Sequence, residues 1–149
     1  MENSIERTII LSAPIERVWR AISDHLEFGT WFRAVISEPF APGAVIACQS
    51  TYPGHEHLTW SMTIVDMEPN RRISFTWPAY YGEDIDRDAS QDHHLKATFL
   101  VEPCEGGTKL TLKETGFSKL PPDYAPTAFR MNENGWDEQM NNITSHVTD

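Results

Sequence analysis

With 149 residues and 40% hydrophobic content, the chain has material for one sizeable core. Its net charge of −10 argues against non-specific binding to nucleic acid or anionic membrane, because neutralising phosphates needs clustered Lys and Arg. No apolar run approaches the length of a membrane span, and Cys48 and Cys104 form no CxxC pair, so neither membrane insertion nor a disulfide framework is expected.

The stretch from Met1 to Leu11 carries Glu2, Glu6 and Arg7 where a signal peptide would need apolar residues, so a cytoplasmic protein is expected. Ile5, Arg7, Ile9 and Leu11 alternate with Glu6, Thr8 and Ile10, which predicts a first strand. Ser12, Ala13 and Pro14 then read as a helix start, with Ser12 offering a capping hydroxyl. Ile15, Val18, Trp19 and Ile22 give a helical apolar stripe, and Leu26 to Phe32 predicts a second short helix. Pro39, Pro42 and Gly43 mark turns.

From about Val45 to Phe117 the pattern is that of strands. Leu58, Trp60, Met62 and Ile64 share one face, and Ile73, Phe75 and Trp77 form the inward set after a turn at Pro69 and Asn70. Beyond the acidic stretch from Pro78 to Asp92, Leu95, Ala97, Phe99 and Val101 alternate with polar neighbours. Gly106 and Gly107 then turn the chain into Thr108, Leu110 and Leu112. Phe129, Trp136, Met140, Ile143 and Val147 recur at near-multiples of 3.6 residues and predict one long terminal helix. A single helix closing an antiparallel meander implies a curved sheet around that helix, with a hollow between them. Gly135 interrupts the helical pattern at about 1 kcal/mol relative to alanine and is read as a site of close helix–sheet packing.

The segments LSAPIERVWRAISD (11–24), WFRA (31–34), MEPNRRISFTWPA (67–79), EGGTKLTLKETGF (105–117) and FRMNENGWDEQMNNI (129–143) occur in an order that resembles the START-like, polyketide-cyclase-like (SRPBCC) superfamily. Within it they look most like the branch named after the activator of heat shock protein 90 ATPase. The resemblance runs from about Ile5 to Val147 and implies a single α+β domain over 1–149 with a helix-grip fold. That fold is a curved antiparallel sheet wrapped around a long C-terminal helix, with two short helices after the first strand. It also implies a cavity that in many relatives holds a lipid, polyketide or other apolar molecule. Many branch members carry a histidine shortly before the Gly–Trp pair of the last helix, where this chain has Asn132. The eukaryotic chaperone activators pair such a domain with another, absent here.

Placed in that cavity, Trp60, Met62, Trp77, Phe99, Trp136 and Met140 offer flat rings and polarisable thioethers to an apolar guest, with Trp31 and Phe32 at the mouth. His55 and His57 would share a strand face; His57 is the candidate polar anchor, and no third and fourth ligand stands at a spacing that suggests metal. Asp84, Asp86 and Asp88 begin like a calcium loop, but Ala89 and Leu95 stand where glycine and glutamate belong. Glu114 shares the parity of Leu110 and Leu112. It is expected to pair with Arg7 or to be turned out near Gly116, and only otherwise to face inward as a general acid or base. The chain has no GxSxG, HExxH, Walker or dinucleotide motif. The expectation is therefore an apolar small-molecule binder without cofactor or metal. A cyclase- or hydrolase-type enzyme, and an interaction module with a protein partner or a second copy, are the alternatives.

Overall fold

The computed structural model describes residues 3–79 and 93–148. Strand β1 (Ser4–Leu11) leads into helices α1 (Ile15–Ser23) and α2 (His25–Phe32). Six strands follow: β2 (Ala34–Ile36), β3 (Val45–Ser50), β4 (Thr59–Glu68), β5 (Arg72–Pro78), β6 (His94–Cys104) and β7 (Gly107–Thr115). Helix α3 (Ala125–Thr148) ends the fold. The sheet order is β1-β7-β6-β5-β4-β3-β2, and every neighbouring pair is antiparallel. A curved sheet, a long C-terminal helix and two short helices after the first strand make this a helix-grip fold.

The strands form because alternate residues have a core to enter. Leu95, Ala97, Phe99 and Val101 of β6 are buried, as are Leu110 and Leu112 of β7, while Lys96, Lys109 and Lys113 lie on the opposite parity. At the β6–β7 hairpin, Gly107 comes so close to the Leu11 carbonyl that a Cβ has no room. Next to it, Thr108 Oγ1 donates to the Ala13 carbonyl at 2.7 Å, pinning the turn to the start of α1. Ser12 does not cap α1: Pro14 takes the N-cap position with no side-chain hydrogen bond. Helix α2 is capped by Asp24, whose carboxylate accepts from the Glu27 backbone N–H.

On the far side, Ala128, Trp136, Met140, Ile143 and Val147 of α3 are buried. Between α3 and the sheet, α2 inserts its aromatic side chains. Phe28 meets Phe75 at 6.2 Å between ring centroids, and Trp31 meets Phe99 at the same separation. Glu27 locks the helices together: its carboxylate takes Arg17 and Arg20 of α1 at 2.6 Å each and His146 of α3 at 2.9 Å. Burial opposes ionisation of Glu27, but hydrogen bonds from His146 and Arg17, with the two arginine charges, carry its pKa below the ordinary value.

Candidate functional site

Because α2 fills part of the hollow between sheet and helix, what remains is an open cleft of about 510 Å³ at one end. That size falls within the roughly 300–1,000 Å³ typical of small-molecule sites. Its walls are rings. Phe32 comes from the end of α2, Trp60 from β4, Trp77 from β5 and Trp136 from α3. Trp77 and Trp136 stack with centroids 5.8 Å apart and planes 27° from parallel, and Phe32 lies 5.8 Å from Trp77 and 6.1 Å from Trp136. Met131, 47% exposed, adds a thioether at the rim.

Beneath the rings sits Glu114, with 0% exposure. Trp77 Nε1 donates to its Oε2 at 2.7 Å, while Trp136 Nε1 and Asn132 Nδ2 donate to its Oε1 at 2.8 and 3.0 Å. All three donors belong to side chains that line the cleft. Glu114 lies opposite Ala97 of β6, whose methyl group leaves the carboxylate a path across that strand to Trp77 on β5. Burial pushes the Glu114 pKa above the ordinary carboxylate range, and the three N–H donors restrain that rise without cancelling it.

The expected pairing with Arg7 is therefore not made. Arg7 instead bonds Asp137 at 2.6 Å and approaches Glu133 at 3.5 Å, both on α3. Nor is Gly135 a point of close packing: a Cβ there meets nothing within 4 Å, and the residue lines the cleft. The helix carries a glycine where it borders open space.

Other expected residues are placed differently. Phe32, Trp60, Trp77 and Trp136 line the cleft; Trp31, Met62, Phe99 and Met140 are buried in the core beside it. Trp31, 3% exposed, donates its indole N–H to the Ala21 carbonyl at 2.8 Å, so it is held by the fold instead of standing at the mouth. His55 and His57 fall in the β3–β4 connection, not on a strand; His57 is exposed and outside the lining, whereas His55 is part of it. Among the described residues, no group of three or more His, Cys, Asp or Glu is placed to hold a metal ion. Asp84, Asp86 and Asp88 lie outside the described residues. Cys48 is buried, and burial pushes its thiol up to about 12, which keeps it un-ionised at neutral pH.

Sequence reasoning missed the polar end of the cleft, formed by Arg33, Ser50, Tyr52 and His55. The available signal was Pro53–Gly54, which marks a connection able to bring Tyr52 and His55 to one place. Trp60 has its own peculiarity. Its indole Nε1 is buried with no hydrogen-bond partner among the described residues. Trp60→Phe is therefore expected to change stability by less than about 1 kcal/mol, because the ring is kept and an unsatisfied donor is removed. A loss well beyond that in urea unfolding would mean that the indole N–H is satisfied in solution.

Among the described residues, no helix is long and apolar enough to cross a membrane. No curated protein matches the sequence. In structure, the chain is similar to a Mesorhizobium loti protein, MLL2253, at 22% identity and a TM-score of 0.78, covering 98% of both chains. An Arthrobacter aurescens protein reaches a TM-score of 0.79 at 18% identity, over 97% of this chain and 86% of that one. DynU16, from the dynemicin biosynthetic locus, matches 99% of this chain at 16% identity and a TM-score of 0.76, but only 48% of its own length is covered. The sequence profile of the activator of Hsp90 ATPase homolog 1-like proteins matches residues 12–148, and with the helix-grip architecture this places the chain in that family.

Proposed function

We propose that the protein binds an apolar small molecule in the cleft between α2, the sheet and α3, as a carrier or sensor. The fold commonly binds hydrophobic ligands. The observation that carries the reading is the cleft itself: about 510 Å³, walled by Phe32, Trp60, Trp77 and Trp136, with Gly135 leaving the helical side open. Burying a guest against such rings supplies affinity at roughly 25 cal/mol per Å² of apolar surface removed from water. Offset or edge-on contacts with flat guests add to that.

An enzymatic reading has less support. Glu114 is the ionisable group expected for general acid–base work, but it is fully enclosed and already holds three N–H donors. Its geometry suits holding rings in place better than exchanging a proton with a guest.

The test uses Nile red, a neutral dye whose emission rises on leaving water. The wild-type protein should bind about one dye per chain at micromolar concentration. Trp60→Ala should keep its fold by circular dichroism and lose most of that emission. No saturable binding by the wild type, or undiminished binding by Trp60→Ala, would overturn the cleft as a ligand site.

A further inference from the structure

We infer that the cleft takes an amphipathic monocarboxylate, with its apolar body among the tryptophans and its carboxylate at Arg33. The inference rests on the binding reading above and adds the head group. Arg33 has no ion pair among the described residues, whereas Arg7, Arg17, Arg20, Arg71 and Arg72 each meet a carboxylate. In a chain with 22 acidic residues and 12 Lys and Arg, a guanidinium left without an internal partner on the wall of an apolar cleft is poorly explained by structure alone.

The backbone at Arg33 points the same way. Arg33 is the C-cap of α2 in the left-handed conformation, with φ 63° and ψ 58°, where glycine is the usual occupant. A long cationic side chain there is a strained choice, and such choices concentrate at functional sites. The position is held on every side. The Arg33 N–H donates to the Gly29 carbonyl, and its carbonyl accepts from Thr51 N at 3.0 Å. The preceding Phe32 carbonyl accepts from Gln139 Nε2 of α3 at 3.0 Å.

The guanidinium lies over the Tyr52 ring, 4.9 Å from its centroid, and Tyr52 in turn meets His55 at 6.3 Å. Guanidinium, phenol and imidazole thus stand side by side at one end of a cleft whose other walls are indole. Each can donate to one carboxylate, the guanidinium through its planar fork. The acidic side chain of the lining is Glu138, which does not pair with Arg33 and disfavours a guest carrying a second negative charge.

Two matched pairs test the assignment at neutral pH by titration calorimetry: decanoic acid against decanol, and naphthylacetic acid against naphthylethanol. In at least one pair the acid should bind the wild type roughly 10- to 100-fold more tightly than the alcohol, as expected for a charge-assisted bond. Arg33→Gln should remove that preference and leave the alcohol's affinity unchanged. Arg33→Gly should do the same without lowering the melting temperature, because glycine suits the backbone there. Equal affinities within both pairs, or a preference that survives Arg33→Gln, would overturn the carboxylate assignment while leaving the apolar cleft intact. If all four compounds fail to bind, the binding reading falls and the head group falls with it.

Discussion

Glu114→Ala is expected to destabilise the protein by about 3–5 kcal/mol in urea unfolding, the largest single effect anticipated at the site. Two contributions add. Removing a fully buried side chain leaves a cavity, and it strips partners from the indole N–H groups of Trp77 and Trp136 and from the amide of Asn132. Asn132 can turn toward the cleft and find water, so the penalty falls mainly on the two indoles. With Glu114 gone, nothing fixes the edges of the stacked rings, and ligand affinity should fall alongside stability. A loss below about 1 kcal/mol would mean that the three contacts are incidental.

The pH dependence of the same residue has a definite sign. Glu114 has a folded-state pKa above its ordinary value, chiefly because of burial. Its stabilising contribution is therefore complete at pH below the ordinary carboxylate range. It is lost as pH rises through the elevated pKa, where the native state must hold a buried charge that the unfolded chain hydrates. Glu114→Gln cannot titrate, and its amide turns an NH2 toward one of the donors. The wild type should be the more stable at low pH, and the gap should narrow as pH rises through that window. Parallel stability profiles for the two proteins would show that Glu114 does not ionise over the range.

The strands were legible because period-two alternation follows directly from one buried face. Leu95, Ala97, Phe99 and Val101 could hardly be read otherwise, and the stripe from Trp136 to Val147 fixed the last helix in the same way. Strand β2 was not seen, since three residues are too few to show a period. The site was legible in part. Apolar patterning says that a ring points inward, but a core ring and a cleft ring carry the same signal. Trp31 and Trp60 were therefore indistinguishable until α2 was seen to fill the space beside Phe99. Glu114 had the correct parity, yet its partners come from β5 and α3, and no local spacing connects them. His55 and His57 were misplaced because an HxH pair shares a face only on a strand, and here it lies in a turn. Arg33 left no sequence trace, because its significance lies in a backbone conformation that arginine seldom adopts.

Gly135→Leu should move stability and binding in opposite directions. In the middle of a 24-residue helix, glycine is unfavourable by about 1 kcal/mol relative to alanine, and leucine forms helix nearly as well as alanine. At most buried helix positions a larger side chain would clash and reverse that gain. Here a Cβ meets no atom within 4 Å, so the helix is free to strengthen. The cost falls on the cleft, because a leucine at 135 grows into the space bordered by Trp60, Trp77 and Trp136. The variant should be about 0.5–1 kcal/mol more stable than the wild type in urea unfolding. Its affinity for Nile red should fall by more than about tenfold, the equivalent of some 1.4 kcal/mol. Gly135→Ala separates the two effects: it should take most of the stability gain and leave most of the binding. A leucine variant that is more stable and binds the dye as well as the wild type would move the ligand away from the helical wall. One that loses stability would mean that Gly135 is packed against something in solution, and the cleft would then be smaller than its walls suggest.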